Sequence, residues 1–251
     1  MSSIKKRDDA LITISIVSHG QISLVKNLLA DLDDLYQNDF EVILTLNIPE
    51  DIPQIQKYNF PILILKNNIP QGFGANHNRA FEKSTSSFFA VVNPDVRAKN
   101  LCFEYLRSAI SDSSVGACGP LVLNSKGEVE ESARKFPTFY SLLLRVLIWG
   151  RKSSDEYEIE GIGEPINVDW IGGMFILFRS SAFSGVKGFD ESRFYMYYED
   201  VDICRRLHAQ GLFILMQPKT FVMHDAQKSS HTNLRYLRWH FTSAFRYLTG
   251  L

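Results

Sequence analysis

Cysteine is nearly missing from this sequence. The three present among 251 residues, Cys102, Cys118 and Cys204, are odd in number, far apart and never in a Cys-x-x-Cys pair. That pattern excludes a disulfide scaffold, argues against a structural zinc site and fits a reducing compartment best. Charge of one sign is missing as well. With 27 Lys and Arg against 28 Asp and Glu, the net charge is -1, so no global field draws nucleic acid or membrane to the chain, and any basic surface is local. A long hydrophobic run is also absent. Residues 142–149 are apolar but interrupted by Arg145, and they fall far short of the ~20 residues that span a bilayer. Residues 1–9 are polar and mixed in charge, without the apolar centre of a signal peptide. These absences predict a cytoplasmic chain that is not integral to a membrane.

What is there is an ordinary globular composition, 45% hydrophobic and 22% charged, long enough for one sizeable α/β domain with its own core. The short β-branched run at residues 11–18 predicts a buried strand, which His19-Gly20 ends. Leu24, Leu28, Leu29, Leu32 and Leu35 then recur at the spacing of one helical face. Further strands are expected at 40–46, 61–65 and 87–92, and a helix at 99–110. Strands separated by helices point to a parallel sheet wrapped by helices. Beyond that, residues 115–123 read as strand with a turn at 124–127, and 168–178 as a glycine pair followed by a strand. Residues 212–216 and 221–223 read as two short strands. A short helix is expected from Pro137, and residues 151–165 read as a polar loop able to order over a ligand.

Several stretches carry more chemistry than a polar surface needs. In residues 189–206 an aromatic run, Phe194 to Tyr198, empties into Glu199, Asp200 and Asp202 at the start of an expected helix. Compensation of the helix dipole, with Asp202 and Arg206 as a surface pair, is one reading. The other is a general base, because a carboxylate beside rings and a second carboxylate has its proton affinity raised. The residues alone leave both open. The stretch around Gly72 and Gly74 follows a strand and enters a helix, a place where bare backbone and unpaired N–H groups can meet an anion. It is not a P-loop, since no Lys-Ser or Lys-Thr follows. Asn93-Pro94-Asp95 lies at a strand's carboxyl end, where open α/β sheets gather ligands, although it is also a common turn. Trp170-Ile171-Gly172-Gly173 brings further bare backbone, and His224 ends a strand. In the tail, Leu234, Leu237, Phe241, Phe245 and Leu248 share a helical face bordered by Arg235, Arg238, Trp239 and Arg246. Such a helix packs on the core or lies in a membrane interface.

Together these pieces resemble the family 2 inverting glycosyltransferases of the GT-A fold, especially the rhamnosyltransferase-like branch that builds bacterial surface polysaccharides. The likeness runs over residues 14–224. It is sharpest in Trp170-Ile171-Gly172-Gly173, Gly188-Phe189-Asp190-Glu191 and the run from Tyr198-Glu199-Asp200-Val201-Asp202 through Arg206. The resemblance implies a Rossmann-like, mostly parallel central sheet flanked by helices over residues 1–231, with a C-terminal amphipathic helix at 232–251. It implies that Val17, Ser18, His19 and Asn47 hold the nucleotide. Gly72 and Gly74 with Asn78 would lie beneath the diphosphate, and Trp170, Gly172 and Gly173 would border the donor. Asn93-Pro94-Asp95 stands where the family has its metal-binding Asp-x-Asp, so Asp95 would carry Mg2+ or Mn2+, with His224 completing the site and Asn93 bonding sugar or ribose. Asp200 falls at the catalytic base, with Glu199 beside it to position hydroxyls. By likeness the donor is deoxythymidine-diphosphate rhamnose, with uridine-diphosphate sugars as the alternative. The acceptor is a glycan or a lipid-diphosphate-linked glycan, nucleic acid is not a partner, and residues 234–248 are the peripheral membrane contact.

Two departures bear on the nucleotide base: the second strand ends Leu46-Asn47-Ile48-Pro49 in place of an Asp-Asn pattern, and His19 replaces the usual Tyr-Asn pair. Two other readings compete. A sugar nucleotidyltransferase needs a basic glycine-rich loop for a triphosphate, and Ser18-His19-Gly20-Gln21 has no Lys or Arg. A catalytically silent nucleotide-sugar-binding subunit of a polysaccharide synthase has no use for an intact Asp95, Glu199 and Asp200.

Overall fold

The computed structural model describes residues 11–52, 54–130, 132–138, 157, 163–224 and 234–250. Most of the helix expected from Pro137 and of the loop expected at 151–165 lies outside them, as do His231 and the extreme N-terminus.

The first half builds the parallel part of the sheet. Strands β1 (Ile12–Ser18), β2 (Phe40–Leu46), β3 (Ile62–Lys66) and β4 (Phe88–Val92) alternate with helices α1 (Ile22–Leu35) and α2 (Phe73–Phe81). β1 pairs in parallel with both β2 and β4, and β2 with β3. Short β5 (Val96–Arg97), α3 (Phe103–Ala109) and the long β6 (Val115–Leu123) follow. Next come β7 (Ala133–Arg134), β8 (Ile166–Asn167), β9 (Trp170–Ile171), β10 (Phe175–Arg179) and α4 (Ser180–Gly185). Helix α5 (Glu199–Ala209), β11 (Phe213–His224) and α6 (Leu234–Thr249) complete the chain. The main sheet runs β3-β2-β1-β4-β10-β6-β11-β5, with β8 beside β11, while β7 and β9 form a separate ribbon. Antiparallel β10 sits between β4 and β6, so the sheet is mixed and mostly parallel.

Alternation along the strands divides the apolar side chains between two layers. Phe40, Val42, Leu44, Ala90 and Val92 face Leu28, Leu29, Leu32 of α1 and Phe103, Leu106 of α3. Ile43, Phe89 and Val91, at the intervening positions, face Ala80 of α2, Phe183 of α4 and Ile203, Cys204, Leu207 of α5. Both faces are therefore covered by helices, which explains why these strands are mostly apolar on both sides, Glu41 and Thr45 of β2 excepted. β1 differs, since Thr13 and Ser15 point to the α2 side. Ser15 Oγ meets buried His77 Nδ1 at 2.8 Å, and Thr13 Oγ1 donates to Glu41 at 2.9 Å. Burial lowers His77 to about 3, so its ring is neutral and structural. Asp31 of α1 is buried against Arg97 through two 2.7 Å bonds and accepts from Ala98 N. This bridge holds β5 in place next to Asn93-Pro94-Asp95.

One sequence expectation is corrected. Residues 213–224 form one strand, not two, because β6 pairs with β11 before and after a register shift between Gln217 and Phe221. The polar segment that looked like a break is an irregularity within a continuous pairing. The expected glycine pair followed by a strand is found, with Gly172 and Gly173 separating β9 from β10.

Candidate active site

The carboxyl ends of β1, β2 and β4 open into one cleft of about 890 Å3. Val17 in β1 with His19 and Gly20 after it, Asn47 and Ile48 after β2, and Asn93, Pro94 and Asp95 after β4 line it. Arg134, Lys135, Trp170, Gly173, residues 195–198, Glu199, Asp200, Trp239 and His240 line it as well. Asp95 and Asp200, separated by more than 100 residues in the sequence, thus face the same space. Pockets of this size at strand ends suit small-molecule ligands.

Asp95 is placed by the pairing of β5 with β11, in which Val96 lies opposite His224. His224 Nε2 comes to 3.4 Å from Asp95 Oδ2, while its Nδ1 is 2.8 Å from Glu130 Oε2. Burial pulls the imidazole down, but the hydrogen bonds and charges of Asp95 and Glu130 outweigh it and raise His224 to about 9. Asp95 Oδ1 is buried and has no hydrogen-bond partner among the described residues. That orphaned acceptor, a histidine nitrogen beside the same carboxylate and a second carboxylate fixing the ring form a donor set suited to a divalent cation, whose binding would displace the proton that His224 shares with Asp95. Among the described residues no group of three or more His, Cys, Asp and Glu is arranged to hold a metal by itself. A cation here would therefore draw its remaining ligands from bound phosphate oxygens and water.

In the same cleft, Glu199 and Asp200 open α5. Asp200 Oδ2 accepts from Gly173 N at 3.0 Å and Oδ1 from Val201 N at 2.9 Å. Glu199 is buried, and its Oε2 has no hydrogen-bond partner among the described residues. Burial first, then the Asp200 charge, raises Glu199 to about 8. Burial raises Asp200 too, against the pull of the Gly173 and Val201 amides and the Arg134 charge. Burial and the adjoining like charge thus raise both carboxyls, which favours a pair that shares one proton over a pair that is doubly ionised. Asp202 is different: it bonds Arg206 at 2.7 Å, lies 3.6 Å from Arg193 and does not line the cleft.

Approach to this acidic pair is set by two consecutive non-glycine residues in the left-handed region, Tyr197 (φ 71) and Tyr198 (φ 69). Each conformation costs about 1–2 kcal/mol and persists only where the surroundings impose it. Helix α6 imposes it here. Ser243 Oγ donates to Met196 O at 2.9 Å, and Arg193 and Arg246 each donate to the other's carbonyl at 2.7 and 2.6 Å. Tyr198 packs on Tyr247 and His240, and Tyr195 on Trp239 at 4.9 Å. The C-terminal helix is therefore packed on the domain. Its buried face carries Ser243 and Tyr247, while Phe241 and Phe245, expected in the apolar stripe, are 62% and 59% exposed. The side chains of Leu234 and Leu237 lie outside the described residues.

Of the residues expected to hold the donor, Val17, His19, Asn47, Asn93, Asp95, Trp170 and Gly173 line the cleft, and Ser18, Gly72, Gly74, Asn78 and Gly172 do not. Ser18 is buried and donates to Glu50, whose carboxylate also takes Gly20 N and Ile22 N and so shapes the loop after β1. Gly72 and Gly74 are small because neighbouring chain lies against them. A Cβ on Gly72 would come within 2.5 Å of Tyr195 O, and one on Gly74 within 2.7 Å of Phe189 Cβ. Asn78 ties α2 to Phe189 through both of that residue's backbone groups. Gly172 N bonds Ser132 O at 2.7 Å. Here the glycine signal marked close packing around the cleft, where contact with a ligand was expected. Sequence reasoning missed Glu130, Arg134, Lys135 and the part played by Trp239 and His240. No local pattern signals Glu130, because its partner His224 lies at the far end of the chain and is brought to it by β6 and β11.

No family model matches the chain. The chain is 29% identical over 253 residues to the rhamnosyltransferase WbbL of Escherichia coli, covering 95% of this chain and 92% of that protein. It is 30% identical over 245 residues to the N-acetylglucosaminyl-diphospho-decaprenol L-rhamnosyltransferase of Mycobacterium tuberculosis, covering 89% and 79%. Among solved structures, GalNAc-T7 with UDP, GalNAc and Mn2+ superimposes with a TM-score of 0.68 at 15% identity, over 88% of this chain and 44% of that one. The mannosyltransferase PcManGT of Pyrobaculum calidifontis, in complex with GDP-Man and Mn2+, gives 0.61 at 15% identity, over 96% and 68%. At such identities the structural likeness shows the fold alone, while the sequence relatives carry the kinship: the chain belongs to the rhamnosyltransferase-like family 2 glycosyltransferases, enzymes that transfer sugar on a GT-A fold.

Proposed function

We propose that this chain moves L-rhamnose, with inversion, from deoxythymidine-diphosphate rhamnose to a hydroxyl of a lipid-diphosphate-linked glycan. The observation that carries the reading is that Asp95 and Asp200 line the same cleft. Asp95 and His224 hold a divalent cation, Mg2+ or Mn2+, with Glu130 orienting the imidazole. When bound, that ion supplies Lewis-acid stabilisation of the leaving nucleoside diphosphate. Val17, His19 and Asn47 hold the nucleoside, and Asn93 meets ribose or sugar. His19 Nδ1 and Asn47 Nδ2 lie 3.1 Å apart at the cleft wall, and Asn47 also bonds Gln71 O, which gives this corner a fixed shape for the base.

Asp200 accepts the proton of the acceptor hydroxyl as its oxygen attacks the anomeric carbon from the face opposite the diphosphate. A carboxylate with raised proton affinity, kept ionised by two amides while its neighbour holds the shared proton, suits a general base. Glu199, neutral beside it, donates to a hydroxyl of donor or acceptor. The relatives' names support rhamnose and a diphosphate-linked acceptor, and the Mn2+ in two fold neighbours supports the metal.

The test pairs a donor screen with one substitution. Deoxythymidine-diphosphate rhamnose with Mn2+ gives the largest thermal shift and the fastest release of nucleoside diphosphate, with no pyrophosphate. Asp200→Asn lowers transfer by about 10²–10⁴-fold and leaves donor affinity within twofold. Turnover retained in that variant would reject Asp200 as the base, and pyrophosphate release would reject sugar transfer. No helix among the described residues is long and apolar enough to cross a membrane. The exposed Phe241 and Phe245 of α6, with Arg238 also exposed, are the peripheral contact to an anionic bilayer that presents the acceptor.

A further inference from the structure

The cleft has more wall than a nucleotide sugar needs, and the surplus is chemically distinct. Away from the strand ends it is aromatic and cationic. Trp239 and Tyr195 pack with centroids 4.9 Å apart and planes tilted by 39°, and His240 lies 5.2 Å from the Tyr197 ring. In the same lining Arg134 sits 5.8 Å from the centre of the Trp170 ring, whose Nε1 donates to Lys135 O at 2.9 Å. Arg134 and Lys135 supply all the Lys and Arg side chains among the described residues lining the cleft. The Arg134 charge reaches Asp200, where it opposes that carboxyl's protonation.

We propose that Trp239, Tyr195 and His240, with Arg134 and Lys135, form the acceptor subsite, and that it takes a pyranoside carrying an anionic phosphate at its anomeric oxygen. The inference rests on the transferase reading above and adds which wall binds the acceptor and by what chemistry. Inverting displacement brings the acceptor oxygen in from the side opposite the leaving diphosphate and next to its base, Asp200, which residues 195–198, Trp239 and His240 adjoin in the cleft lining. That is the wall α6 completes. The C–H face of a pyranose packs on indole and phenol rings, which offer a large rigid surface at small entropic cost. A phosphate at the anomeric oxygen meets cations that line the same cleft as Asp200, and the Arg134 charge reaches that carboxyl. Arg and Lys at such a position recognise phosphate through charge-assisted hydrogen bonds. The C-terminal helix, which the family likeness up to residue 224 leaves outside the catalytic domain, thereby becomes part of the active site.

The experiment uses the full chain and two acceptors that share one sugar, N-acetylglucosamine on a short alkyl diphosphate and the same sugar as an alkyl glycoside. Trp239→Ala raises the KM for the diphosphate acceptor at least tenfold while donor KM stays within twofold. Trp239→Phe restores most of the loss, which separates a lost platform from a misfolded helix. The double variant Arg134→Gln, Lys135→Gln abolishes the preference for the diphosphate acceptor, and whatever loss it causes through Asp200 falls on both acceptors alike. If that variant raises donor KM and spares acceptor KM, the cations serve the donor and the proposal is overturned. If Trp239→Ala leaves acceptor KM unchanged, the aromatic platform is overturned. Failure of the unsubstituted chain to hydrolyse or transfer from any nucleotide sugar would remove the transferase reading, and this subsite with it.

Discussion

Replacing Glu199 by Gln tests the electrostatics of the site without touching the reacting carboxylate. Glu199 is buried, has an unpartnered oxygen and adjoins Asp200, which raises it from its ordinary 4.5 to about 8. A carboxyl whose folded-state value lies above its unfolded value favours the folded state most at low pH. That contribution is lost as pH rises from about 4.5 through about 8. The full difference corresponds to a ceiling of roughly 5 kcal/mol. The cleft is open on one side, so rotation of the side chain and entry of water relieve much of it and leave roughly 1–2 kcal/mol. Gln cannot ionise. Glu199→Gln therefore melts within a degree or so of the native chain at pH 5 and about 3–6 °C above it at pH 8.5. Calorimetry across that range, in one buffer ionic strength, reads the difference directly. In an Asp200→Asn background the gap narrows, because one of the charges that raises Glu199 is gone. A melting difference that stays flat with pH, or a variant less stable at pH 8.5, would refute the account of a shared proton held on Glu199.

Other perturbations probe separate parts of the structure. Asp95→Ala removes the effect of Mn2+ on donor affinity, so calorimetric titrations with and without the ion coincide; a persisting metal effect would place the cation elsewhere. Gly74→Ala puts a methyl against Phe189 Cβ and destabilises by about 1–3 kcal/mol as overpacking. Because Gly74 lines no part of the cleft, donor affinity in the folded variant is unchanged, and a selective loss of donor affinity would return this glycine to ligand contact. Phe241→Ser with Phe245→Ser removes two exposed rings from α6. It lowers co-sedimentation with vesicles containing anionic phospholipid while melting stays within about 2 °C; equal recovery would reject the membrane contact.

The sequence by itself determined the alternation of strands and helices, since β-branched runs such as Phe40–Leu46 and the leucine spacing of Ile22–Leu35 are local signals. It also marked Asp95, Glu199, Asp200 and His224 as chemistry, because unusual residues at strand and helix ends stand out without any knowledge of their partners. The i,i+4 spacing already paired Asp202 with Arg206, as the structure shows, but that Arg193 also reaches Asp202 and that Asp200 faces the cleft are facts of the tertiary structure. Nor could the sequence decide what the glycines near residue 72 are for, since a missing side chain serves a ligand and a packed neighbour alike. Only the tertiary structure brought Glu130 to His224 and folded α6 back against residues 193–198. These contacts join positions far apart in the chain, and no periodicity or short motif encodes a distance that the β6–β11 pairing and the packing of the last helix create.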